Sequence, residues 1–127
     1  MKTEEPDAAG DLHALGEAAD TLSQIAEKQV EFNRLEIARN HVEALDTAVN
    51  MFFVDMFRRP DELLELVEGT GNNWNGPYID RVALTDPWGN PFQYVNAGQR
   101  AEWFDIYSFG PPGTQAPESE HIGNWSQ

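Results

Sequence analysis

The 127-residue sequence predicts an α+β fold in which one long N-terminal helix packs on a small antiparallel β-sheet with a C-terminal loop. Three observations lead there. Apolar residues recur at three- and four-residue steps through the first half of the chain, the mark of an amphipathic helix. Residues 92–96 (FQYVN) and 103–109 (WFDIYSF) are aromatic and β-branched runs joined by a loop containing Gly98, which reads as an antiparallel hairpin. The tail is rich in Pro and Gly yet closes on Ile122, Gly123, Asn124 and Trp125, apolar residues expected to dock back onto the domain.

The elements follow in order. Residues 1–10 (MKTEEPDAAG) are polar and form a flexible lead-in; residues 11–127 form a single domain. A helix over residues 11–57 carries Leu12, Leu15, Ala19, Leu22, Ile25, Ala26 and Val30. It continues with Ile37, Ala38, Val42, Leu45, Val49, Phe52 and Met56, and Asp11 is its expected N-cap. About 45 helical residues at roughly 1.5 Å each make a rod of about 65 Å, too long for the remaining chain to cover. Its second half, with the larger side chains, should pack on the domain. Its first half, richer in Ala, should protrude or pair with a partner, with Leu15, Leu22, Ile25 and Val30 as the contact face. The competing arrangement folds those four residues against their own domain. Pro60 ends the rod, because a residue preceding proline disfavours helical backbone. A short helix is expected over residues 61–68 (DELLELVE), then a Gly- and Asn-rich loop pinned by Trp74. The β-domain and C-terminal loop occupy residues 78–127.

Composition excludes several functions. The net charge of −14 argues against nucleic acid and anionic membrane surfaces, which require clustered Lys and Arg. With no cysteine, there are no disulfides, thiolate metal sites or Cys nucleophiles. Residues 1–19 hold Glu4, Glu5, Asp7, Asp11 and Glu17, where an export signal or spanning helix would need an apolar run. The histidines His13, His41 and His121 stand in no metalloprotease spacing, and His13 with Glu17 one turn on is an ordinary solvated pair. No nucleophile elbow, phosphate loop or paired carboxylates occur, so the sequence supports no enzyme reading and nominates no catalytic or cofactor-binding residue. Asn124-Trp125-Ser126 matches a glycosylation sequon that chance readily supplies.

The most distinctive segment is residues 85–94, TDPWGNPFQY. Asp86 and Pro87 initiate one turn, Gly89, Asn90 and Pro91 permit a second, and Trp88 offers a large surface for burial between them. Tyr94 follows in the strand. This run closely resembles the Asp-Pro-Trp-Gly-Asn-Pro-Tyr-Gln-Tyr signature of type II secretion major pseudopilins, the G subunits. Downstream, residues 105–110 (DIYSFG) resemble the strand entering that family's C-terminal loop, and Gly123, Asn124 and Trp125 resemble its closing motif. Upstream, residues 37–49 and 74–78 (WNGPY) agree as well, so the resemblance covers residues 35–125.

The resemblance implies a pilin-like fold and a non-catalytic subunit of a periplasmic pseudopilus for protein export. The implied partners are other pseudopilin or secretion-system subunits, itself included. Two departures stand out. Family members carry an apolar anchor helix where this chain has its polar residues 11–33. Either the anchor lies upstream of Met1, giving an inner-membrane-anchored protein, or this is a natural soluble relative. A stand-alone soluble binding or adaptor module on the same scaffold is therefore the alternative. The family also binds one calcium ion in the C-terminal loop through two Asp residues, and here those positions are Pro112 and His121. Calcium needs about six to eight oxygen ligands, so the substitution predicts a metal-independent loop unless Glu118 or Glu120 supplies a replacement. Pro111 and Pro112 would help by restricting the unfolded loop.

Overall fold

Residues 8–125 are described by the computed structural model, with side chains from Ala19 onward. Helix α1 runs from Ala8 to Met56. The expected N-cap Asp11 therefore lies inside the helix, and residues 8–10 of the expected lead-in are helical; residues 1–7 lie outside the described residues. The chain divides into two compact units at Asn33 and Arg34. In the first unit the side chains of residues 19–30, 32 and 33 are exposed.

In the second unit α1 buries Ala38, Val42, Leu45, Ala48, Val49 and Phe52, the three- and four-residue stripe of the sequence pattern. Leu63, Leu66, Phe92, Phe104 and Ile106 complete the core around them. Leu45, Phe52 and Ile106 are wholly buried, each worth about 1.5–3 kcal/mol of apolar transfer. The helix ends at Phe57, whose left-handed φ of 58° follows the pattern of a helix C-terminus, though glycine usually fills that place. Its N–H donates to the Phe53 carbonyl at 2.8 Å.

The short helix expected over residues 61–68 is corrected to a single 3-10 turn, Leu63–Leu66. The physical reason lies at its start: Glu62 is extended (φ −148°, ψ 158°) and the Asp61 N–H is taken by the Glu65 carboxylate, so no helical turn begins at Asp61. The Trp74 indole N–H donates to the Glu65 carbonyl at 2.9 Å, and the Tyr78 N–H donates to the Leu66 carbonyl at 2.7 Å. Those two carbonyls tie the turn to the loop that follows. Trp74 pins that loop as expected. A second 3-10 turn, Arg81–Leu84, precedes the signature segment.

The expected hairpin forms. Strands β1 (Gln93–Val95), β2 (Asp105–Ser108) and β3 (Ile122–Gly123) make an antiparallel sheet in the order β1-β2-β3. Tyr94 pairs with Ile106, and Tyr107 pairs with Gly123. Among the described residues, no helix is long and apolar enough to cross a membrane.

Candidate functional site

The signature segment is built on one buried carboxylate. Asp86 Oδ1 accepts the N–H groups of Trp88 (3.1 Å) and Asn90 (2.8 Å), and Oδ2 accepts the Ser108 hydroxyl at 2.7 Å. Ser108 Oγ in turn accepts the Gly110 N–H at 3.0 Å. Asp86 thus fixes the double turn and ties it to β2 and to the start of the C-terminal loop. Gly89, with φ of 88°, and Gly110, with φ of 83°, occupy backbone that side chains rarely adopt. A Cβ on Gly110 would also stand 2.8 Å from the Glu120 carbonyl. Trp88 is half-buried, and its indole nitrogen has no hydrogen-bond partner among the described residues. The Tyr94 hydroxyl donates to the Pro60 carbonyl at 2.7 Å, and burial pushes its pKa up to about 12.

The closing motif is a clamp. Asn124 Oδ1 accepts the Ile106 N–H at 3.1 Å, while Nδ2 donates to the Phe104 carbonyl (2.9 Å) and to Asp46 of α1 (3.1 Å). One amide therefore joins the chain's end to β2 and to the helix. Gly123 is required by close approach, since a Cβ there would meet the Trp125 ring at 2.3 Å.

Two features of the loop region were not visible in the sequence. Asp105 is buried and accepts the N–H groups of Gln99, Arg100 and Ala101 at 2.8–3.2 Å, which shapes the β1–β2 connection. The Arg100 guanidinium lies 3.7 Å from the Trp125 ring centre and 4.6 Å from that of Tyr107. His121 stacks on Tyr107 at 4.9 Å and 10° between planes.

A calcium ion does not fit this donor set. The two positions nominated for it hold a proline, which offers no side-chain ligand, and an imidazole already engaged. His121 Nδ1 is 3.4 Å from both terminal nitrogens of Arg100, and Nε2 is 3.3 Å from the Ala116 carbonyl. Glu118 is drawn towards Arg100, at 4.0 Å, and Glu120 is exposed. Among the described residues, no group of three or more His, Cys, Asp or Glu is gathered for a metal.

The nominated contact face is only partly described, because the Leu15 side chain lies outside the described side chains. Leu22, Ile25 and Val30 are 66%, 57% and 47% exposed. Phe32, seven residues after Ile25 and on the same side of the helix, is exposed too and was missed. So was a second group of exposed apolar residues: Met51, Phe53, Val54, Phe57 and Trp103. Phe53 and Trp103 line one shallow groove with Asn50 and Arg59. The sequence signal for them was an excess of large apolar residues over what one buried helical stripe can absorb.

A family model described as type II secretion system (T2SS), protein G, matches residues 24–125. The type II secretion system core protein G of Pseudomonas aeruginosa is 34% identical over 102 residues, covering 72% of this chain and 71% of that protein. Its counterpart in Xanthomonas campestris is 32% identical over 82 residues, covering 63% of this chain and 57% of that protein. In Klebsiella pneumoniae the figures are 38% over 93 residues, 65% and 64%. The chain thus spans 57% to 71% of the length of these relatives. Among solved structures, the major pseudopilin of the type 2 secretion system of enterohaemorrhagic Escherichia coli matches with a TM-score of 0.64. That match has 30% identity and covers 77% of this chain and 87% of the other.

Proposed function

The chain belongs to the type II secretion system protein G family, the major pseudopilins, and from that premise we propose that it works as a non-catalytic structural subunit in protein export. Its partners are further copies of itself and other secretion-system subunits, and its place of action is the periplasm. The observation that carries this reading is the exposure of Leu22, Ile25, Val30 and Phe32 on one helical segment of the first unit, while the second unit has a hydrophobic core of its own. Exposed apolar residues gathered on one element mark a surface that another protein covers. The Asp86 and Asn124 networks support the same reading, because they place the sequence's most distinctive residues in a structural scaffold.

The test replaces Leu22 and Ile25 together by Glu. Glutamate is a good helix former, and neither residue belongs to the core, so melting of the domain should change by no more than about 0.5 kcal/mol. Export of the system's substrates is expected to collapse in cells that carry the variant. Full export with a stably produced variant would contradict the proposal.

A further inference from the structure

The geometry points to Arg100 as an internal cation that closes the C-terminal loop without a metal ion. The loop between β2 and β3 leaves the sheet after Ser108 and rejoins it at Ile122. At its base the Arg100 guanidinium contacts two aromatic rings, Tyr107 on β2 and Trp125 beyond β3. The Arg100 side chain is only 26% exposed, so these cation–π contacts act in partly desolvated surroundings, where they are strongest. The planar guanidinium can stack on both rings, which a compact ammonium cannot do.

His121 completes the closure, and its tautomer follows from its neighbours. Arginine only donates, so Nδ1, 3.4 Å from both Arg100 terminal nitrogens, must accept. The imidazole proton then sits on Nε2 and is donated to the Ala116 carbonyl, in the middle of the loop. Sheet, guanidinium, imidazole and loop backbone form one continuous chain of contacts. Phe109 packs edge-on against both Tyr107 and His121, sealing the other side. Asp105 holds the Arg100 backbone N–H, so the side chain starts from a fixed point. Glu118 supplies a carboxylate at 4.0 Å, on the loop itself. A positive charge at the loop base, met by aromatic faces and one loop carboxylate, performs the task that a bound divalent cation and its acidic ligands would otherwise perform.

Hydrogen exchange read by mass spectrometry on residues 109–121 tests this in the full chain. In the unmodified protein, protection of that segment should be the same in EDTA and in millimolar calcium. Arg100→Met keeps the aliphatic stem and removes the guanidinium. It should speed exchange in the loop by roughly 10–30-fold, the equivalent of losing two such contacts, while α1 core amides stay unchanged. Arg100→Lys should fall between the two. Loop protection that collapses in EDTA, or that survives Arg100→Met intact, would overturn the inference. Should Arg100→Met fail to fold, the unmodified protein still decides. The Arg100 side-chain protons should show upfield ring-current shifts from Trp125 in EDTA, and random-coil shifts there would refute the closure.

Discussion

At the scale of single residues, the molecule is held by side chains that each satisfy several backbone groups. Asp86 accepts three hydrogen bonds and Asp105 binds three successive N–H groups, both carboxylates being buried without a lysine or arginine ion pair among the described residues. Such charge-assisted bonds are the stronger kind. Tyr94 gives a prediction whose sign follows from its surroundings. Burial raises its folded pKa to about 12, above the usual value near 10, so the fold favours the neutral phenol. That contribution is fully present below about pH 10 and is lost as pH rises through 12. Tyr94→Phe should cost about 1 kcal/mol at pH 8 through the lost bond to Pro60. The gap between the two proteins should then narrow from pH 10 and reverse before pH 12. Tyr78, also shifted upward chiefly by burial, is common to both proteins and cancels. Urea unfolding at a series of pH values measures this, and a constant gap would show that Tyr94 titrates as if in water.

At the scale of elements, what the sequence revealed and what it hid have distinct causes. The helix was legible because one stripe of apolar residues persists for many turns, and the hairpin because aromatic runs flank a glycine loop. The signature turns were legible as turns, but the identity of their organiser, Asp86 reaching Ser108 twenty-two residues on, depends on tertiary geometry. The same applies to residues 61–68, where local propensity favoured a helix and the extended Glu62, with the Asp61 N–H held by the Glu65 carboxylate, left only a 3-10 turn. Arg100 carried no local signal, since its partners Tyr107, His121 and Trp125 come from later segments. Asn124 shows how much one element junction can hold. Asn124→Ala should leave the Ile106 N–H and one Phe104 carbonyl bond unmade, a loss of about 2–4 kcal/mol, seen as a lower urea midpoint. Asn124→Asp, of nearly the same shape, should be at least as damaging because it sets a carboxylate beside Asp46. A midpoint unchanged in both variants would remove Asn124 from the clamp.

At the scale of the whole molecule, the proposed function gives the scaffold and the exposed apolar residues different ends. Buried polar networks tie together the turns, sheet and helix of residues 34–125, while Leu22, Ile25, Val30 and Phe32 of the first unit are exposed. The net charge of −14 keeps such a surface from indiscriminate association, because copies at large repel one another beyond close contact. Assembly then requires apolar complementarity at short range, as expected of a subunit that joins a defined structure. The chain contains no cysteine, so a single introduced thiol reports its own neighbourhood alone. The most direct measurement is photo-cross-linking of the Leu22→Cys and Ile25→Cys proteins, labelled at the single thiol with a benzophenone maleimide and irradiated in actively secreting cells. The account predicts discrete adducts with a second copy or another secretion-system subunit, lost when the thiol is moved to an exposed polar position such as Asn72. Only uncross-linked monomer at both positions, with export intact, would contradict it and leave a stand-alone module on a pseudopilin scaffold.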